Sequence, residues 1–179
     1  MKKGTKSVIA AILTGAMIMS IAGCANFELI THKQFKKALE DAAKIDEDEI
    51  RETKDDKYEG ADVKRRIVAT DGKCVYSYIE FDDAEDAYDT FSEIYDDFTD
   101  AVEDDEFDGS YRKGINENSG TGYILVNGDS DNEDFIDGKC YGGIFLKENT
   151  FVVVLANSQK SKDMDKIDAV LDAIGYPKP

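Results

Sequence analysis

The fold is decided by residues 61–103, which read ADVKRRIVATDGKCVYSYIEFDDAEDAYDTFSEIYDDFTDAVE. Two runs rich in β-branched and aromatic residues, 61–70 and 73–81, flank Asp71-Gly72, the strongest short-range signal for a β-hairpin. Apolar residues then recur at steps of three and four over 83–103, and this spacing predicts an amphipathic helix whose other side is nearly all Asp and Glu. A hairpin followed directly by such a helix predicts a sheet with a helix packed on it.

A further helix is predicted before the hairpin, over about residues 32–45. Thr31 and Gln34 have the spacing of a capping box, in which each side chain accepts a hydrogen bond from the backbone of the other residue. Residues 46–60 are rich in acids and are predicted to form a loop.

The second half of the chain predicts more sheet and a final helix. Strands are expected at 111–116, 121–127, 139–147 and 150–156. The last strand reads TFVVVLA, which is apolar on both faces and indicates a central position. A helix over about 163–174 is followed by Gly175 as its C′ residue. The sequence therefore predicts an α+β fold, a two-layer sandwich with a mostly antiparallel sheet of about five strands and its helices packed on one face.

The first 24 residues have the pattern of an export signal. Residues 1–6 contain three lysines and no acid, and the 16 residues 7–22 are uncharged. That run is shorter than the about 20 apolar residues of a membrane-spanning helix. Ile21-Ala22-Gly23-Cys24 follows and resembles the lipobox of bacterial lipoproteins. An ordinary cleaved signal, or an uncleaved membrane helix with an incidental cysteine, is the alternative.

The lipobox resemblance implies a location and a chain organisation. The signal peptide would be residues 1–23, cleaved between Gly23 and Cys24, and Cys24 would carry a diacylglyceryl group that anchors the protein at the extracytoplasmic face of a bacterial membrane. Residues 24–30 would then be the lipidated terminus with a short tether, and residues 31–179 a single globular α+β domain.

The charge of the chain excludes one class of partner. The formal net charge is −17, and it becomes −20 once the three lysines of the signal are removed. Phosphates would be repelled over the whole surface, so nucleic acid is excluded. The first helix is an exception, since it carries His32, Lys33, Lys36 and Lys37. These groups either face lipid headgroups or form an ordinary solvated helix face, and both interpretations remain open.

Cys74 and Cys140 are the thiols that remain if Cys24 is lipidated. A disulfide between them is possible in an exported protein, and in the chain-entropy model it would stabilise the fold by roughly 4 kcal/mol. Strand alternation argues the other way, because it directs the two sulfurs to opposite faces unless a bulge intervenes. Two separate buried thiols are the alternative.

No catalytic residue, metal site or cofactor is predicted. His32 is the only histidine, so the usual zinc sites and histidine-dependent nucleophile arrangements lack ligands or a base. Residues 129–134 resemble the start of a calcium loop, but Asp134 stands where that loop needs glycine, and Cys140 where it needs glutamate. A solvated acidic turn is favoured.

The globular part carries one further resemblance. Phe81-Asp82, followed by Asp86-Ala87 at the start of an aromatic helix, resembles small uncharacterised lipoproteins of Gram-positive bacteria, and this implies no particular activity. The function predicted is a non-enzymatic, membrane-anchored binding or interaction module with a protein or cell-wall partner. A carboxylate-dependent envelope enzyme and a purely structural envelope component are the alternatives.

Overall fold

The computed structural model describes residues 27–179. The predicted signal peptide 1–23, its cleavage site at Gly23 and the lipidation site Cys24 lie outside the described residues. The helices are α1 (His32–Ala38), which continues as a π-helical turn over Leu39–Ala43, α2 (Ala84–Glu103) and α3 (Ser161–Ile174). The strands are β1 (Arg51–Tyr58), β2 (Ala61–Asp71), β3 (Cys74–Phe81), β4 (Phe107–Asn116), β5 (Thr121–Asn132), β6 (Ile136–Lys147) and β7 (Thr150–Ala156).

The α+β class is confirmed, and the sheet is larger than predicted. Seven antiparallel strands, not about five, lie in the order β1-β2-β3-β7-β6-β5-β4. Two meanders, β1–β3 and β4–β7, join where β3 pairs with β7. The run at 150–156 is therefore the central strand, as its two apolar faces predict. Asp71-Gly72 forms the β2–β3 turn, with the φ of Gly72 at 63°.

Strand β1 lies within the predicted acidic loop 46–60. Most of its side chains are exposed, because it is an edge strand with little packed on it, and its sequence therefore lacks an apolar alternation. Asp55 has a φ of 48° and falls between the pairs Lys54–Arg65 and Asp56–Val63. This local irregularity and the dense charge interrupt the free edge of the sheet.

Two apolar clusters lie on opposite faces of the sheet. On the α1 face, β3 and β7 contribute Cys74, Tyr76, Tyr78, Val152, Val154 and Ala156, covered by α1, the π turn and α3. On the α2 face, the alternate residues Ile79, Phe81, Phe151 and Leu155 lie under α2. The predicted two-layer arrangement with helices on one face is not confirmed, because the central strands are apolar on both sides and each side needs a cover.

The predicted ends of the helices are set by local hydrogen bonds. The capping box before α1 is confirmed: the Gln34 backbone N–H donates to the Thr31 hydroxyl at 3.3 Å, and the Thr31 N–H donates to Oε1 of Gln34 at 2.8 Å. The α2 helix begins after Asp83, whose carboxylate accepts the backbone N–H of Glu85 at 2.8 Å. Gly175 ends α3 in the left-handed conformation, with a φ of 73°.

The segment before α1 belongs to the folded domain. Phe27 is 3% exposed, and its ring centroid lies 5.5 Å from that of Phe145 and 4.7 Å from that of Tyr176. Ile30 is also buried, and its carbonyl accepts the Tyr78 hydroxyl at 3.5 Å. The described part of the predicted tether, residues 27–30, is therefore not a free tether, because its apolar side chains complete the core of the α1 face.

Candidate functional site

The two described thiols are separate and buried. Cys74 lies in the cluster on the α1 face and Cys140 in the cluster on the α2 face, so the candidate disulfide is not formed. The Cys74 thiol donates to the Asp163 carbonyl at 3.9 Å, and the Cys140 thiol donates to the Gly128 carbonyl at 3.8 Å. Burial raises the pKa of both thiols, that of Cys140 to about 11. Both groups therefore remain protonated at neutral pH and pack as small apolar side chains.

His32 stands at the start of α1 among charged side chains of the neighbouring strands. Partial burial and the nearby Arg65 guanidinium lower its pKa, while the carboxylates of Glu52 and Glu80 act in the opposite direction. These neighbours belong to an ion-pair network in which Lys36 lies 3.6 Å from Glu52, and Glu52 also contacts Arg65. The network joins α1 to β1 and β2, so the setting of His32 is structural.

The calcium-like segment 129–134 belongs to a β-hairpin. Asp129 pairs with Lys139 within the β5–β6 ladder, and Ser130 is buried. Asn132 accepts the Phe135 backbone N–H at 2.8 Å through its side chain, which also donates to Glu106. Within residues 27–179, no group of three or more His, Cys, Asp or Glu side chains is arranged to hold a metal ion.

The outer side of α2 is the largest concentration of charge of one sign. The helix carries eight carboxylates and no cation, and residues 74–111 as a whole contain 15 acids and no Lys or Arg. We call the eight side chains on the helix the carboxylate surface: Glu85, Asp86, Asp89, Glu93, Asp96, Asp97, Asp100 and Glu103. Burial, followed by the charge of Asp134 on the β5–β6 turn, raises the pKa of Asp97. The acidic turn therefore extends this surface.

An open groove runs beside the carboxylate surface. It has a volume of about 360 Å³ and lies between the β1–β2 turn and α2. Its lining consists of Glu59, Gly60, Ala61, Asp62, Asp86, Asp89, Thr90 and Glu93. The Thr90 hydroxyl donates to the Asp86 carbonyl at 2.9 Å, so it is engaged with the helix backbone. The remaining polar side chains of the groove are carboxylates, which attract cationic groups.

The surface around α1 has the opposite character. The helix contains three lysines and no acid, while the π turn that continues it carries Glu40 and Asp41, and Asp41 pairs with Lys37 at 2.8 Å. Lys33 and Lys37 are exposed and lie one turn apart on one side of the helix. Leu29, just before the helix, is 41% exposed and is one of two large apolar side chains exposed among the described residues. We call Leu29, Lys33 and Lys37 the lysine surface.

The candidate features that sequence reasoning missed are Phe27 and Leu29. Both are predicted from the sequence to lie in a tether, although the large apolar ring of Phe27 in a free tether would be exposed to water at a cost. Phe27 and Ile30 are apolar residues three positions apart, directly before a capped helix, and this spacing is the sequence feature that indicates their burial. Within residues 27–179, no helix has both the length and the apolar character needed to cross a bilayer.

Comparisons with protein families, with curated protein sequences and with solved structures find no match to this chain.

Proposed function

We propose that this chain is an exported bacterial lipoprotein whose folded domain is a non-enzymatic binding or interaction module at the extracytoplasmic face of a membrane. Residues 1–23 are removed, and Cys24 becomes the lipid-carrying first residue. The lipobox-like Ile21-Ala22-Gly23-Cys24 supports the anchor, and only Ala25 and Asn26 separate this lipidation site from the buried Phe27. An anchor at Cys24 would therefore hold the folded domain directly at the membrane.

The lipid must supply nearly all of the attachment. Each buried CH₂ group contributes about 0.8 kcal/mol, so two or three acyl chains bind a membrane firmly where one binds marginally. The mature chain has a net charge of −20 once the three lysines of the signal are subtracted from the whole-chain value of −17. So much negative charge opposes binding of the domain as a whole to anionic lipid.

The accessible chemistry of the domain supports an interaction module. Both described thiols are buried and protonated, and the hydroxyl of Thr90 in the groove is hydrogen-bonded to the backbone. The groove and the carboxylate surface present carboxylates to solvent. Such a surface suits recognition of a cationic group on a protein or cell-wall partner.

The same groove favours a carboxylate-dependent envelope enzyme as the second candidate, since five carboxylates line it. The two functions differ in how they respond to neutralisation. An enzyme would lose its activity when one or two of these carboxylates are changed to amides. Charge recognition would weaken step by step with each change.

The anchor is tested with Cys24→Ser in the full-length chain. We expect the unchanged protein to carry a diacylglyceryl mass on its Cys24 peptide, and we expect the variant to accumulate as an unprocessed precursor. Cys140→Ala is the matched control, because it removes a buried thiol and should leave processing unchanged. A Cys24→Ser protein that is still processed and membrane-bound would contradict the proposal.

The interaction module is tested by cross-linking the lipidated protein in cells and identifying captured proteins by mass spectrometry. We expect one dominant envelope protein, whose capture falls when groove carboxylates such as Asp89 and Glu93 are changed to amides. Capture of nothing reproducible would favour a small-molecule or cell-wall ligand, or a structural envelope component, over a protein partner.

A further inference from the structure

The point at which the chain leaves the core limits how the domain can sit on a membrane. Two residues separate Cys24 from Phe27 in the sequence, and the three Cα–Cα steps from Cys24 to Phe27 span at most about 11 Å when fully extended. Phe27 is fixed between Phe145 and Tyr176, and Ile30 is buried beside Tyr78. A lipid on Cys24 would therefore bring the surface next to residues 27–30 to the bilayer.

The lysine surface lies beside this exit point. Leu29 is exposed between the two buried residues Phe27 and Ile30, so it stands on a segment whose ends are fixed. Lys33 and Lys37 follow on α1, which packs on the same face of the sheet as Phe27. An exposed apolar side chain with neighbouring lysines suits the interface of an anionic bilayer, where the apolar group enters the headgroup region and the ammonium groups meet phosphates.

The carboxylate surface lies on the opposite side of the molecule. Phe27 and α1 belong to the cluster on one face of the sheet, and α2 belongs to the cluster on the other. The sheet therefore lies between the two helices. The eight acids of α2 would be repelled if they were turned towards anionic lipid. The exit point and the charge distribution thus favour the same orientation.

We propose that the lysine surface, Leu29 with Lys33 and Lys37, lies against an anionic bilayer and that the carboxylate surface of α2 is turned away from it. This inference rests on the proposed anchor at Cys24. It adds a second contact to that anchor, and it leaves the groove beside α2 open to a partner on the side away from the membrane.

The orientation is tested with two labelled variants of the full-length lipidated protein, Glu28→Cys and Asp96→Cys. Both positions are exposed acids, one beside Leu29 and one on α2, so the change in charge is matched. A maleimide fluorophore would react with the new cysteine, because Cys74 and Cys140 are buried. Each protein is placed in phosphatidylcholine vesicles that contain phosphatidylglycerol and a lipid with a nitroxide headgroup, which quenches nearby fluorophores.

We expect severalfold stronger quenching at position 28 than at position 96. Adding Lys33→Glu and Lys37→Glu should reduce the quenching at position 28, while the same charge change at the exposed Lys54 and Lys64, on strands β1 and β2, should leave it unchanged. Equal quenching at the two labelled positions, or stronger quenching at position 96, would overturn the orientation.

The mass of the Cys24 peptide from the same preparations separates the two proposals. An acylated peptide together with stronger quenching at position 96 refutes the orientation alone. A peptide without acyl groups refutes the anchor, and the orientation falls with it.

Discussion

The helices α1 and α2 cover opposite faces of one sheet, and their outer sides carry opposite charges. The α1 helix has three lysines and no acid, whereas α2 has eight acids and no lysine or arginine. Each helix buries an apolar stripe, with Phe35 and Ala38 on α1 and residues such as Phe91 and Phe98 on α2. The inner sides are thus similar while the outer sides differ completely.

This comparison shows that the fold requires the apolar inner stripe of each helix but does not determine the charge of its outer side. Covering an apolar sheet face requires an apolar stripe, and both helices supply it. The charge of the outer side contributes little to that packing, and in α2 it opposes the helix, since like charges repel at spacings of three and four residues. Folding therefore does not dictate the outer charges, and the proposed orientation takes them as matched to the surroundings of each face.

Removing an aromatic ring beneath α2 should have the largest effect on stability. Phe98 is fully buried, and its ring centroid lies 5.2 Å from that of Phe107 and 4.7 Å from that of Phe135. We expect Phe98→Ala to lower the free energy of unfolding by about 3–5 kcal/mol, measured by urea denaturation. Phe35→Ala under α1 should fall at the lower end of that range, because Tyr78 is the one ring paired with it, at 5.7 Å.

The exposed Glu93 on α2 provides the control, since Glu93→Ala removes no packed ring and should change the stability little. A Phe98→Ala protein as stable as the unchanged protein would show that α2 is not packed as described.

The ion-pair network beside α1 should contribute less to the stability of the protein than the aromatic packing does. Partial burial raises the pKa of Glu52, but the charges of Arg65 and Lys36 outweigh it, so the pKa is lowered overall. We expect Glu52→Gln to cost about 1 kcal/mol at neutral pH. Because the folded-state pKa is the lower one, this contribution is present above the unfolded pKa and is lost as the pH falls through the folded pKa.

Asp41, which pairs with Lys37 at 2.8 Å on the exposed side of the π turn, is the comparison for Glu52. Asp41→Asn should have a smaller effect than Glu52→Gln, since both partners in that pair are exposed to solvent. Equal effects of the two variants would argue against the network as a link between α1 and the edge of the sheet.

Neutralising an acid on α2 should have the smallest effect on stability, and it should stabilise the protein where the other changes destabilise it. Burial and the charges of Asp134 and Asp100 raise the pKa of Asp97. We expect Asp97→Asn to stabilise the protein by roughly 0.3 kcal/mol at neutral pH. Since the folded-state pKa of Asp97 is raised, its destabilising effect is lost as the pH falls through that pKa, and the variant should then gain nothing over the unchanged protein.

Thermal unfolding at neutral pH and at about pH 3, below the ordinary Asp pKa of about 3.9, measures this loss of the effect. Glu40→Gln, an exposed change on the π turn beside α1, is the control and should be neutral at both pH values. A destabilised Asp97→Asn protein at neutral pH would mean that the acids of α2 make favourable contacts.

The sequence predicted those parts of the fold whose signal is local. The α2 helix repeats its apolar spacing over 20 residues, and Asp71-Gly72 fixes a turn by its own backbone preference. Strand β1 was missed because an edge strand needs no apolar alternation. The helices on both faces were missed although the run at 150–156 is apolar on both sides, since periodicity alone does not say what covers each side.

The candidate surfaces were only partly predictable for the same reason. The charges of α1 and α2 can be read from the sequence, but their placement on opposite faces depends on the path of the chain after β3. Strand alternation, which is local, argued for the separation of Cys74 and Cys140, but a bulge in either strand would have reversed it, so the sequence left a disulfide open. The burial of Phe27 depends on Phe145 and Tyr176, which are more than a hundred residues away in the sequence.

The central position of β7 determines when the sheet can finish folding during synthesis of the chain. The two meanders meet only through β7, which pairs with β3 on one side and β6 on the other. That strand begins at Thr150, so the middle of the sheet cannot form until nearly all of the 179 residues have been synthesised. A chain emerging from the ribosome would hold two unjoined half-sheets and an open core. For a protein proposed to leave the cell interior, late closure of this kind would leave the sheet incomplete until the last part of the chain is available, which favours export before the fold is complete.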